Sequence, residues 1–234
     1  KTLDAVGIIE LDKELLLLFN QNDNLFMDGV IKTLTSGITW IPLYLALFYI
    51  VVKNNETMAQ IFFIVGGVLL SVMLAGGVDD LIIKPFVARP RPLNDLATKY
   101  IIDTVYGVSS DQFSFFSAHA ANTFAIATFM ALLVRSGILN FGLFAWAAIN
   151  AYTRLYLGMH YPSDVIVGIL WGMICGAIAY FVYSYLYYKR NPHINYISSQ
   201  YTSTGYSFID VDIVITTLSL TVLYALISAT VNVF

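Results

Sequence analysis

Thr153-Arg154-Leu155-Tyr156-Leu157-Gly158-Met159-His160-Tyr161-Pro162-Ser163-Asp164 lies between two strongly apolar runs. It sets an arginine, a histidine and a carboxylate where one run ends and the next begins. Ionisable side chains at a bilayer edge are costly, so three together point to a function. His160 is a candidate nucleophile, Asp164 a group to orient it, and Arg154 a holder for an anion. Pro162 suits a first helical position, so the stretch reads as the turn between two membrane helices. Two earlier stretches read as parts of the same place: Lys84 to Pro92, and Ser117-Ala118-His119.

Composition agrees with a membrane setting. The chain has 234 residues, 58% of them hydrophobic and 12% charged, with a mean hydropathy of +0.73. A soluble domain carries about 25% charge. The reading is one all-α integral membrane domain, residues 1–234, in contact with the lipid bilayer. A net charge of −3 gives no reason to expect nucleic acid. Cys175, inside an apolar run, reads as a small buried hydrophobe. Asp4, Glu10, Asp12, Lys13 and Glu14 interrupt any signal-peptide core. The sequence sets no oligomeric state.

Residues 5–20 place Ile8, Leu11, Leu15, Leu18 and Phe19 at helical spacing, which predicts an amphipathic helix on the membrane surface. Six spans follow, at about 26–53, 58–83, 117–135, 139–157, 162–187 and 210–233. In the first, Trp40 suits an interfacial belt and Pro42 a kink. Gly76-Gly77 in the second, and Gly168, Gly172 and Gly176 in the fifth, predict close approach of neighbouring helices. Residues 85–115 are too polar to span. Six crossings put this connection, the Arg154–Asp164 turn and both termini on one side. Lys53, Arg135, Lys189 and Arg190 mark the other side as cytoplasmic. The reactive stretches would then face the periplasm or outside of a bacterial inner membrane.

Lys84 and Arg91 are separated by Pro85 and Pro90 and followed by Pro92. The prolines predict a stiff arm that aims two cations at one anion. Asp80, four residues before Lys84, can pair with it on the helix end; Arg89 is a further candidate to share the anion, though its spacing suggests that it faces elsewhere. Ser117 is a good N-cap, and the backbone N–H groups of a helix start favour an anion. His119 beside that anion is drawn toward protonation, which suits a general acid. A carboxylate on one nitrogen of His160 would leave the other as nucleophile. Two of the three histidines thus share a face with Lys84, Arg91 and Arg154. His193, on the opposite face, reads as an ordinary loop residue.

These three stretches resemble the type-2 phosphatidic acid phosphatases, membrane enzymes whose site is similar to that of vanadium haloperoxidases. The family patterns are Lys-x6-Arg-Pro, Pro-Ser-Gly-His and Ser-Arg-x5-His-x3-Asp. They correspond to Lys84…Arg91-Pro92, Phe116-Ser117-Ala118-His119 and Thr153-Arg154…His160…Asp164. Phe116, Ala118 and Thr153 depart from the pattern, whereas every charged position and both histidines keep it. The resemblance implies a lipid phosphate phosphatase in which Lys84, Arg91, Arg154 and Ser117 hold the phosphate. His160 would attack phosphorus, Asp164 would orient it, and His119 would protonate the leaving oxygen and then activate water. No metal and no cofactor are implied. Family-like substrates are undecaprenyl pyrophosphate, phosphatidylglycerophosphate, phosphatidic acid and the phosphates of lipid A. Two alternatives use the same cations: a transporter or flippase of anionic headgroups, and a vanadate-dependent haloperoxidase. The first lacks charges near span centres, and membrane burial argues against the second.

Overall fold

The computed structural model describes residues 5–20, 24–103, 105, 113–189 and 196–233. Lys1, Asp4, Arg190, His193 and most of 104–112 lie outside these, as does the side chain of Ile8.

Helices follow in chain order: α1 (Ala5–Asn20), α2 (Leu25–Thr35), α3 (Ile41–Lys53), α4 (Met58–Val87), α5 (Ala118–Val134), α6 (Gly137–Tyr156), α7 (Pro162–Tyr188) and α8 (Phe208–Val233). Their starts carry the expected chemistry. Asn24, Thr57, Ser117 and Ser136 cap α2, α4, α5 and α6 with their side-chain oxygens, satisfying N–H groups that have no partner within the helix.

Of the six spans expected, length and composition mark three or four. Among the described residues, α4, α7 and α8 are long and apolar enough to cross a membrane. The pair α2 and α3, bent by 65°, makes a fourth if counted as one. At 17 residues, α5 is a shorter apolar helix. It rises about 26 Å against a hydrocarbon core of about 30 Å. In α6, Asn140, Asn150 and Arg154 dilute the apolar run.

The break between α2 and α3 also corrects two details. It falls at Ser36-Gly37, where a 3-10 turn (Gly37–Trp40) begins, and Pro42 sits in the first turn of α3. There a missing N–H costs no helical bond. The turn swings Trp40 inward, so it is 2% exposed and no interfacial anchor. Its Nε1 donates to the Leu34 carbonyl at 2.8 Å, and its ring meets Trp146 edge-on.

The centre of the bundle is α7 lying along α5. A Cβ built on Gly168 would stand 2.7 Å from the Ser117 carbonyl oxygen, and one on Gly172 or Gly176 would run into the carbonyls of Ala121 or Ala125. The four-residue glycine spacing therefore serves close backbone packing, as expected. Gly76 likewise faces the Asn122 side chain of α5, whereas Gly77 meets only Met73 of its own helix. One consequence reaches the site: the Ser117 N–H donates to the Asp164 carbonyl at 3.1 Å. The starts of α5 and α7 are thereby locked together.

In α1, Leu11, Leu15 and Leu18 face outward, the last at 74% exposure. Glu10 and Glu14 are exposed as well. Asp12 and Asn20 are buried against the rest of the chain. Asn20 Nδ2 donates to the carbonyls of Tyr156 at 2.8 Å and Asp103 at 3.0 Å.

Candidate active site

Lys84 stands near the end of α4, where the helix widens to π-type winding over Met73–Gly77 and Asp79–Ile83. Its Nζ lies 2.5 Å from Asp80 Oδ1, the expected partner, and 3.2 Å from Asp79 Oδ2. Asp79 is fully buried, and its Oδ1 accepts from the Phe116 N–H at 3.1 Å. It therefore joins Lys84 to the segment that leads into α5.

Past Val87 the chain turns through Ala88, which has a left-handed φ of 49°. It then runs antiparallel to residues 113–114. Ser114 N–H donates to the Arg89 carbonyl at 2.9 Å, and Pro90 bridges to Phe113. Arg91 Nε donates to the Phe113 carbonyl at 3.0 Å, and the side chain is buried. The arm is stiff because prolines restrict it and because a second segment is bonded to it.

Arg154 and His160 reach the same end through a tight return. Gly158 takes a φ of +61°, a conformation that costs glycine nothing. The Met159 N–H then closes onto the Arg154 carbonyl at 3.0 Å. Arg154 is buried, with Nη1 3.3 Å from Met159 sulfur and Nη2 3.4 Å from the Thr35 carbonyl. Its Nε has no partner, and no carboxylate pairs with the guanidinium among the described residues.

His160 is 3% exposed. Its Nδ1 lies 2.8 Å from the Ser114 carbonyl oxygen and 3.8 Å from Asp164 Oδ2. A carbonyl only accepts, so Nδ1 carries the proton and Nε2 keeps its lone pair. The group that sets the tautomer is a backbone carbonyl, not the expected Asp164. Asp164 is held elsewhere: Oδ2 accepts from the Tyr161 N–H at 3.0 Å, and Oδ1 accepts from Arg89 Nη1 at 2.6 Å. It caps α7 and faces the imidazole through charge. Burial pushes the His160 pKa down to about 4; Asp164 opposes this, and Arg91 and Lys84 add to it.

His119, in the first turn of α5, interacts through charge with Arg154, His160, Lys84 and Arg91. The two histidines and three cations picked out by spacing thus meet at one end of the bundle. Ser117 is buried there, its hydroxyl 3.5 Å from the Ala120 N–H it caps. Arg89 does turn elsewhere, as its spacing suggested, but into a buried cluster with Asp12, Ser163 and Asp164. Spacing alone did not single out Asp12, Asp79 or Ser114. Asp79 carried a faint signal, as a second carboxylate beside Asp80.

A family model described as the PAP2 superfamily matches residues 64–191, more than half of the chain and the whole of this cluster except Asp12. The chain belongs to the PAP2 superfamily. A lipid A 4'-phosphatase of Bacteroides thetaiotaomicron is 35% identical over 176 residues, covering 74% of this chain and 77% of that protein. A lipid A 4'-phosphatase of Porphyromonas gingivalis is 31% identical over 178 residues, covering 76% and 75%. The crystal structure of Aquifex aeolicus LpxE superposes with a TM-score of 0.56 at 28% identity, over 71% of this chain and 92% of that one. With the apolar helices, these likenesses make the chain a membrane phosphatase of the PAP2 superfamily.

Proposed function

We propose that the chain removes a phosphate from lipid A in the membrane, by way of a phosphohistidine on His160. The observation that carries the reading is the meeting of His119, His160, Lys84, Arg91 and Arg154 at one end of the bundle. The likeness to two lipid A 4'-phosphatases is the reason to propose that substrate before the other lipid phosphates. The chain crosses the membrane six times, with α5 and α6 as the two weakly marked crossings. The site opens on the periplasmic face of an inner membrane.

In this reading Lys84, Arg91 and Arg154 hold the phosphoryl oxygens and stabilise the charge that gathers on them in the transition state. Backbone N–H groups at the start of α5, beginning beside Ser117, add to that cradle. The His160 Nε2 lone pair attacks phosphorus as the bond to the sugar oxygen breaks. His119 gives its proton to that oxygen, and the dephosphorylated lipid leaves. Water then attacks the phosphohistidine, its proton passes to His119, and the N–P bond breaks to free inorganic phosphate. No step calls for a metal.

The test is phosphate release by detergent-solubilised protein from lipid A, phosphatidic acid, phosphatidylglycerophosphate and undecaprenyl pyrophosphate in mixed micelles. Lipid A is expected to react fastest, with chelator present and with inhibition by vanadate. His160→Ala is expected to reduce release to background. Undiminished release by that variant would refute the nucleophile, and equal rates on all four lipids would refute selection of lipid A.

A further inference from the structure

Asp12 lies on α1, well ahead of the family match that begins at residue 64, and none of the three motifs contains it. It is nonetheless buried and fully bonded. Oδ2 accepts from Arg89 Nη2 at 2.6 Å and from the Ser163 hydroxyl at 2.6 Å, and Oδ1 accepts from the Ser163 N–H at 2.8 Å. Arg89 Nη1 donates to Asp164 Oδ1 at 2.6 Å and to Ser163 Oγ at 2.8 Å. The guanidinium lies 4.0 Å over the Tyr161 ring. Burial works against the Arg89 charge, but Asp164 and Asp12 outweigh it and raise its pKa. Asp164 Oδ2 in turn faces His160 Nδ1 at 3.8 Å. A line of alternating charge therefore runs from the N-terminal helix to the imidazole.

The balance of that line matters to the ring. Arg91 and Lys84 face His160 with positive charge. Asp164 is the carboxylate that faces it, and Arg89 cancels that charge at 2.6 Å. Lys13, next to Asp12 on α1, is turned toward Asp95 at 3.7 Å. With Asp12 included, two carboxylates and one guanidinium leave one net negative charge behind the ring.

We propose that Asp12 is a positioning residue of the active site, acting through Arg89 to restore the negative charge that Asp164 presents to His160. The inference rests on His160 as the nucleophile. When Nε2 gives its lone pair to phosphorus and the P–O bond breaks, the ring keeps its Nδ1 proton and becomes cationic. That charge is absent from the bound ground state, so a negative group behind the ring speeds the step without tightening binding.

Asp12→Asn keeps the size and the acceptor for the Ser163 N–H but removes the charge. It is expected to lower kcat on lipid A by on the order of tenfold with KM unchanged. Arg89→Gln leaves two net negative charges and is expected to raise the His160 titration midpoint by about one pH unit, followed by NMR of labelled histidine in micelles. The double variant Asp12→Asn/Arg89→Gln restores the single charge and is expected to bring the midpoint back. An unmoved midpoint in Arg89→Gln, or a double variant that stays shifted, overturns the proposal. If Arg89→Gln does not fold, the double variant and Asp12→Asn decide: an unchanged kcat, or a loss in KM alone, overturns it. The titration does not depend on hydrolysis, so it separates this failure from that of the nucleophile, which His160→Ala tests.

Discussion

Arg89 and Arg154 stand at the same end of the bundle, in surroundings that could hardly differ more. Arg89 forks between Asp12 and Asp164 at 2.6 Å each, bonds Ser163 and stacks on Tyr161. Arg154 is more deeply buried, has a sulfur and a carbonyl at 3.3 and 3.4 Å, and leaves its Nε bare. Removing a charge from water costs several kcal/mol unless a partner returns it. For Arg89 the partners are internal, so it belongs to the fold. For Arg154 no carboxylate partner exists among the described residues, and in the proposed reading the phosphate of the substrate supplies the compensation. The same side chain is thus paired within the fold in one place and, in the proposed reading, holds the ligand in the other.

The contrast can be broken by exchanging the losses. Arg89→Gln strands two carboxylates and is expected to cost about 3–5 kcal/mol of stability, read by unfolding in detergent. Arg154→Met is expected to cost no stability, because it removes a buried charge that no carboxylate offsets. It should instead lower kcat/KM by about 10²–10³-fold, as the loss of one transition-state donor does. Vanadate should raise the melting temperature of wild type more than that of Arg154→Met. If Arg154→Met unfolds and Arg89→Gln does not, the assignment of the two arginines is reversed.

His160 lies between the two regions and reports on both. Its folded pKa of about 4 is below the ordinary value of about 6.5. The unfolded chain therefore binds more protons between those values, and stability falls as the pH drops through that window. Above about pH 6.5 the contribution is fully present; by about pH 4 roughly 3 kcal/mol is lost. Melting temperatures taken across pH 4–7 are expected to fall with pH in wild type, and less steeply in His160→Gln. The neutral nucleophile, in contrast, persists well below neutrality.

The side chains proposed to hold the anion were legible in the sequence because chemistry dictates their type and short-range geometry dictates their spacing. The glycine stripe of α7 was legible for the same reason, since 168, 172 and 176 keep one helical face. What escaped notice depended on longer or less regular relations. Asp79 pairs with Lys84 at a separation of five, which the π-type turn supports and an α-helix does not. Ser114 acts through its carbonyl, which no residue type announces. Asp12 reads as one polar residue on a solvated face until Arg89, 77 residues away, is folded onto it. Trp40 was misread as an anchor because the break at Ser36-Gly37 lies one turn earlier than the proline that seemed to mark it.

The smallest effect expected is also the one that most sharpens the picture of His160. Where a carboxylate alone fixes the tautomer of a catalytic histidine, its conversion to the amide costs about 10⁴-fold, because the proton moves to the attacking nitrogen. Here the Ser114 carbonyl already holds the Nδ1 proton at 2.8 Å, and Asp164 stands 3.8 Å away. Asp164→Asn therefore removes a charge but not the tautomer. Its amide oxygen can still accept from the Tyr161 N–H, and Arg89 retains Asp12. The expected loss in kcat is on the order of tenfold, with KM little changed. A loss near 10⁴-fold would mean that Asp164, not the carbonyl, sets the ring during the reaction, and the 2.8 Å contact would then belong to the resting enzyme alone.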